Sequence, residues 1–111
     1  MKTAQSLIQK KCTPARDGEG VVLSRKEAQD YHTQIKQWTL HQKSLEREFR
    51  FKNFQESMAF LNKVATIAEQ ESHHPDVSIF YGRVRLQLTT HTLSGLTLND
   101  FIMAAKIDKT L

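Results

Sequence analysis

Two adjacent histidines closed by a proline, His73-His74-Pro75 in the stretch ESHHPDV, are the residues of this sequence best suited to chemistry. An imidazole titrates near neutrality, with an unperturbed pKa of about 6.5, so one ring can donate a proton while another accepts one. Regular structure works against the pair. Neighbouring side chains diverge by ~100° on a helix and point to opposite faces on a strand. Pro75 changes this, because it pushes His74 out of helical backbone toward extended geometry. A chain that leaves a helix between the two residues can turn both rings toward one cleft. His91 is the third candidate imidazole, and Asp100 is a carboxylate that a helix-capping role accounts for in full. Simpler roles exist beside these. A histidine at a helix C-terminus complements the helix dipole, and a carboxylate in the first turn of a helix caps it. His32 and His41 read as surface residues.

Other chemistries lack their residues. The sequence contains no GxGxxG, no Walker-type loop and no GxSxG, which removes the usual dinucleotide, nucleoside triphosphate and serine-hydrolase signatures. Adjacent histidines rarely converge on one tetrahedral ion, and a zinc-binding pair on a helix wants i, i+4 spacing, so no metal ligand is assigned. Cys12 is the single cysteine, which excludes an internal disulfide and suits a reducing compartment. With no 18-residue apolar run and no signal-like leader in the first twenty residues, a cytoplasmic protein without membrane contact is expected.

The elements that must position the histidines follow from periodicity and capping. Ser24 and Glu27 form a capping box for a helix over 25–35, with Ala28, Tyr31 and Ile35 on one stripe and Trp38 just beyond. WTLHQ is a short β-like run. SLEREFRFK alternates, with Leu45, Arg47, Phe49 and Phe51 on one face and Glu46, Glu48, Arg50 and Lys52 on the other. Arg47 interrupts the apolar face, which suggests a place at the strand's start or the sheet's rim. A long helix over 54–71 is capped by Asn53, with Glu56 reaching back. Its expected apolar face is Phe54, Met58, Leu61, Ala65 and Ala68, widened by Phe60, Val64 and Ile67. Val77, Ile79 and Tyr81, then Gly82, then RVRLQLTT read as a hairpin. TLNDFIMAAKID reads as a last helix with Thr97 and Asp100 as its capping box. The order α-β-β-α-β-β-α, with short links, predicts an α+β fold of two layers: a four-stranded antiparallel sheet with three helices packed on one face.

At 111 residues, 39% hydrophobic and 25% charged, the chain fits one globular domain. That domain is assigned to residues 21–111, preceded by a polar, flexible tail over 1–20 that ends near RDGEG. The net charge of +4 resides in residues 1–16, where Lys2, Lys10, Lys11 and Arg16 meet no acid. The 12 basic and 12 acidic side chains of residues 17–111 cancel. A nucleic-acid binder needs its basic face on the folded body, so no nucleic-acid partner is expected.

Glu69, His73-His74-Pro75, Tyr81, His91 and Asp100 together spell E-x3-H-H-P-x5-Y-x9-H-x8-D. This spacing resembles the signature of the pterin-4a-carbinolamine dehydratases. The likeness extends to Trp38, LEREFRFKNF and AEQESHHP, covers about residues 24 to 108, and includes the tail segment KKCTP. Two departures stand out. Ala15 and Arg16 follow Pro14 where bacterial members often carry a second cysteine, and Val77 occupies a position where some members have an aromatic residue. The resemblance implies the same sheet-and-three-helix fold, assembled as a homodimer or homotetramer. It implies dehydration of 4a-hydroxytetrahydropterin to quinonoid dihydropterin, which recycles the cofactor of aromatic amino-acid hydroxylases, one of which is a possible partner. The pterin is the substrate, and no metal or redox cofactor is required. By the same resemblance His73, His74 and His91 are the acid–base and binding groups of the pocket, and Glu69 and Asp100 bind or orient; His74 ranks first because Pro75 fixes its backbone. Some members act instead as dimerisation cofactors, so a non-enzymatic interaction module or a pterin-binding accessory protein is the alternative.

Overall fold

Alternation and capping place most elements where the chain forms them. The computed structural model describes residues 6–13 and 21–111. In chain order the elements are α1 (Arg25–His32), β1 (Thr39–Leu40), β2 (Leu45–Arg50), α2 (Phe54–Glu71), β3 (Asp76–Phe80), β4 (Arg83–Leu88) and α3 (Leu98–Asp108), with 3-10 turns at Leu7–Gln9 and His91–Leu93. The four strands make one antiparallel sheet in the order β1-β2-β4-β3. The α+β class and the α-β-β-α-β-β-α order agree with the sequence reading.

Register sorts the two faces of the sheet. The pairs Leu45–Leu88, Arg47–Leu86 and Phe49–Val84 lie on the inner face, where α2 and α3 pack. Glu46–Gln87 and Glu48–Arg85 lie on the outer face, where Glu48 contacts Arg50, Arg83 and Arg85 at 2.8–3.6 Å. Such exposed pairs contribute little stability. The core is elsewhere, in Trp38, Phe101, Ile35, Leu86, Leu88 and their neighbours, all essentially fully buried. Each such side chain stabilises the fold by roughly 1.5–3 kcal/mol.

Several local expectations shift for identifiable reasons. Helix α1 stops at His32 rather than 35, because the chain tightens into i→i+3 turns: Gln34 N–H donates to Tyr31 O and Ile35 N–H to His32 O. Ile35 and Trp38 are buried all the same. The WTLHQ run shrinks to two strand residues. On α2 the buried stripe is Ser57, Phe60, Val64 and Ala68, whereas Phe54 and Ala65 of the expected stripe are exposed. Ser57 takes the inward place because its hydroxyl donates to Tyr81 O at 2.8 Å, joining α2 to the β3–β4 turn. Asn53 caps α2 as expected, but Glu56 accepts from the Lys52 N–H rather than from Asn53. Gly82 is required by a close approach: a Cβ there would stand 2.6 Å from the Phe51 carbonyl oxygen. Arg47 does not sit at a rim. It pairs with Leu86 on a central strand, and Asp108 neutralises it at 2.7 Å.

The N-terminal segment also makes contacts. Leu7 is 0% exposed and belongs to the core, and its N–H donates to Gln34 Oε1 at 3.0 Å. Residues 6–13 therefore lie against the body at the points where they are described, while RDGEG lies outside the described residues. No described helix is long and apolar enough to cross a membrane.

Candidate functional site

The junction after α2 is closed by its own backbone. Ser72 adopts left-handed geometry (φ 54°), and the Ala68 carbonyl accepts from both the Ser72 and the His73 N–H. This is how helices end when the next residue must leave the axis. Pro75 then bars return to helix, and β3 begins at Asp76. The second approach comes from the 3-10 turn His91–Leu93, closed by another left-handed serine, Ser94 (φ 52°). The two turns face each other.

Between them lies a cleft of about 570 Å³ lined by His73, His74 and His91 together with Cys12, Glu71 and Thr90. That volume lies in the range of small-molecule sites. Each histidine faces its own carboxylate, but the three pairs differ in setting. His73 Nε2 stands 2.7 Å from Asp100 Oδ1, with the histidine side chain 11% exposed and the aspartate fully buried. His74 Nε2 meets Glu69 Oε2 at 2.5 Å, both well exposed. His91 Nε2 stands 3.3 Å from Asp76 Oδ2, also exposed.

Asp100 is the organising group. Its Oδ2 accepts from the Thr97 N–H at 2.9 Å and from Thr90 Oγ1 at 2.8 Å. Thr90 spends its hydroxyl proton on Asp100, so it accepts from Thr97 Oγ1 at 2.8 Å. With Oδ2 taken by two donors, Oδ1 accepts from His73. The hydrogen of this contact therefore resides on His73 Nε2, and Nδ1 is the ring nitrogen that Asp100 does not engage. Asp100 also fixes Thr90, the residue before His91. One carboxylate thus aligns both walls of the cleft, and its capping role coexists with this one.

All three predicted histidines meet in one cleft. Asp100 stands behind His73 rather than in the cleft lining, and Glu69 lies outside it, on His74. Of the three histidines, His73 is the one held against a buried carboxylate, whereas His74, beside Pro75, is exposed with Glu69. The sequence reading missed Glu71, Lys106 and Asn99. Glu71 is 5% exposed at the side chain, and its Oε2 accepts from Lys106 Nζ at 2.8 Å. Burial acts to raise its pKa, but the Lys106 and Cys12 hydrogen bonds and the charges of Lys106 and Lys11 prevail and hold it below the usual carboxylate value. The Cys12 thiol is pushed up to about 12, by burial first and then by the charge of Glu71, so it stays protonated. His32, expected on the surface, is half-buried with Nε2 2.6 Å from Trp38 O. Among the described residues no group of three His, Cys, Asp or Glu side chains is arranged to hold a metal ion.

Comparison with known proteins points the same way. The family model of pterin 4 alpha carbinolamine dehydratase matches residues 21–110. A relative from Nitrosospira multiformis, provisionally named pterin-4-alpha-carbinolamine dehydratase, is 42% identical over 106 residues, 96% of this chain and 93% of its own. One from Methylococcus capsulatus with the same provisional name is 43% identical over 108 residues, 96% of this chain and 94% of its own. Among solved structures, a transcriptional coactivator/pterin dehydratase from Brucella melitensis superposes with a TM-score of 0.76 at 30% identity, over 80% of this chain and 97% of that one.

Proposed function

Because this chain belongs to the pterin 4 alpha carbinolamine dehydratase family, we propose that it dehydrates 4a-hydroxytetrahydropterin to quinonoid dihydropterin and water by histidine acid–base catalysis. The observation that carries the reading is the convergence of three imidazoles on one cleft with a single imidazole tied to a buried carboxylate. The C4a–O bond breaks as the N5 lone pair forms a C4a=N5 double bond. The departing hydroxide takes a proton from a general acid, and the ring gives one to a base. His73, with its tautomer held by Asp100, presents Nδ1 as the base. The exposed His74 and His91, each beside a carboxylate, supply the acid. Glu69 acts through His74 and Asp100 through His73. The chemistry asks for no resident cofactor, and the dihydropterin product must be reduced by a separate two-electron reductase in the cytoplasm before it can serve an aromatic amino-acid hydroxylase again.

The decisive experiment generates 4a-hydroxytetrahydropterin and follows its decay optically with wild type, His73→Ala, His74→Ala and His91→Ala. Wild type accelerates decay above buffer and each substitution slows it, His73→Ala most. No acceleration by wild type would defeat the reading.

Assembly with further copies of the same chain belongs to this proposal. Phe54 is 50% exposed on the outer face of α2, beside half-buried Met58 and Leu61. Val77 and Phe80 are exposed on β3, an edge strand with one neighbour. Apolar side chains on a helix face and on a sheet edge suit a second copy. Light scattering on wild type and Phe54→Glu tests it; a monomeric wild type would reject it.

A further inference from the structure

Residues 6–13 reach the cleft at two points, and each point adjoins one half of the buried His73–Asp100 pair. The Cys12 N–H donates to Glu71 Oε1 at 2.8 Å, on the last residue of α2 and two positions before His73. Thr13 and Asn99 exchange two hydrogen bonds: Thr13 N–H donates to Asn99 Oδ1 at 3.0 Å, and Asn99 Nδ2 donates to Thr13 O at 2.6 Å. Asn99 immediately precedes Asp100 on α3 and is 5% exposed, so its amide has no access to water as a substitute partner. Upstream, fully buried Leu7 anchors the segment in the core. Cys12 itself forms part of the cleft wall.

We propose that residues 6–13 are a strap that completes the cleft, and that Glu71 and Asn99 are positioning residues which, through this strap, hold His73 against Asp100. This rests on the reading of the cleft as the dehydratase site. The end of α2 and the start of α3 carry opposite halves of the pair, so any relative drift lengthens the His73–Asp100 contact. Glu71 opposes the drift twice, with Oε1 on the strap and Oε2 on Lys106 of α3. Asn99 opposes it from the other side. Small displacements of a catalytic group cost rate steeply, so the strap acts mainly on kcat and less on KM.

The test uses the full chain with Thr13→Pro, which removes the N–H donated to Asn99, with Asn99→Ala, and with both together. Each single variant should lower kcat about tenfold with KM changed less than threefold, and should shift the imidazole nitrogen resonances of His73. The double variant should be no slower than Asn99→Ala, since both substitutions break one contact. Additive losses would overturn the strap, and so would singles with wild-type kcat and unmoved His73 resonances. If the variants do not fold, amide hydrogen exchange on wild type decides: protection at Cys12 and Thr13 comparable to that in α3 supports the strap, and exchange at the free-peptide rate overturns it. Wild type without dehydratase activity would fault the dehydratase reading, and the His73 resonances and amide exchange would still judge the strap.

Discussion

Helix α3 carries an aspartate at each end, and the two are put to opposite uses. Asp100, at the N-terminus, is fully buried and gathers three donors, the Thr97 N–H, the Thr90 hydroxyl and the His73 imidazole. Asp108, at the C-terminus, is 26% exposed at its side chain and gathers Arg47 at 2.7 Å and the Trp38 indole at 2.8 Å. A helix N-terminus favours an anion and a C-terminus opposes it. Asp100 therefore needs no permanent cation and can serve a group that titrates. Asp108 is placed against the dipole and needs the fixed charge of Arg47. The same side chain holds an imidazole of the cleft at one end and a guanidinium beneath the sheet at the other. What separates chemistry from architecture here is whether the partner can change its protonation near neutral pH.

Asp100→Asn is the largest expected way to test that division. An amide in place of the carboxylate sends a donor toward groups that already donate, so the His73 tautomer is no longer specified. Turnover should fall about a hundredfold or more, within the range general acid–base catalysis contributes. Circular dichroism should show the fold retained. A folded Asp100→Asn with wild-type turnover would break the comparison at its first term.

Asp108→Ala tests the other end. Removing one partner of a largely buried pair leaves Arg47 uncompensated on the inner face of the sheet, beside the Phe49 ring at 4.5 Å. The expected loss is about 2–4 kcal/mol in urea unfolding, shifted below the range of a fully buried pair because both groups keep some contact with water. Turnover per folded molecule should stay within about twofold, since Asp108 touches neither cleft wall. A tenfold loss of turnover in a folded variant would show that the two ends are coupled.

These two ends were not equally legible in the sequence. The end of α2, the β2 and β4 alternation and the α3 cap follow from local pattern, and Pro75 locates the junction. The convergence of His73, His74 and His91 came from the family spacing. Local pattern cannot show which charged residues meet across the fold. Arg47 and Asp108 are 61 residues apart, Thr13 and Asn99 are 86, and Glu71 and Lys106 are 35. Arg47 looked like a rim residue because its neutralising carboxylate lies on another element. Phe54 and Ala65 looked inward because hydrophobicity alone ranks them above Ser57, whereas the Ser57 hydroxyl satisfies a turn carbonyl from the inside. The composition of residues 1–20 hid Leu7 among polar neighbours, although it is as buried as any core residue.

Acid titration sharpens the contrast by sign. Glu71, at the cleft, has its pKa held below 4.5, so the unfolded chain binds its proton more tightly than the folded one. Its stabilising contribution is complete above about 4.5 and drains away as pH falls through the lowered folded value. Asp108 runs the other way. Burial, outweighing the Trp38 and Arg47 bonds, raises its pKa above 3.8, so ionisation costs stability at neutral pH. That cost is relieved as pH falls through the raised value toward 3.8. Thermal unfolding as a function of pH should therefore show a shallower acid decline for Glu71→Gln and a steeper one for Asp108→Asn. Equal slopes in both variants and wild type would remove the electrostatic part of the comparison.

The smallest expected effect lies in the backbone. Of the two non-glycine residues with positive φ among the described residues, Ser72 lines the cleft and Ser94 closes the turn that carries His91, and the Asp108 end has none. Each closes an element that delivers a histidine, α2 for His73 and the 3-10 turn for His91. Left-handed backbone costs a serine roughly 1 kcal/mol more than a glycine. Ser72→Gly relieves that strain, but it also frees the unfolded chain, so the net gain should be only about 0.5 kcal/mol. If the strain merely accompanies the tight helix end, turnover should not change. If the serine's restricted backbone keeps His73 aimed at Asp100, the glycine variant will be slightly more stable and slower. Turnover and urea midpoint measured together on Ser72→Gly separate these cases. A variant both less stable and slower would show that the Ser72 side chain, and not its backbone geometry, is what the cleft requires.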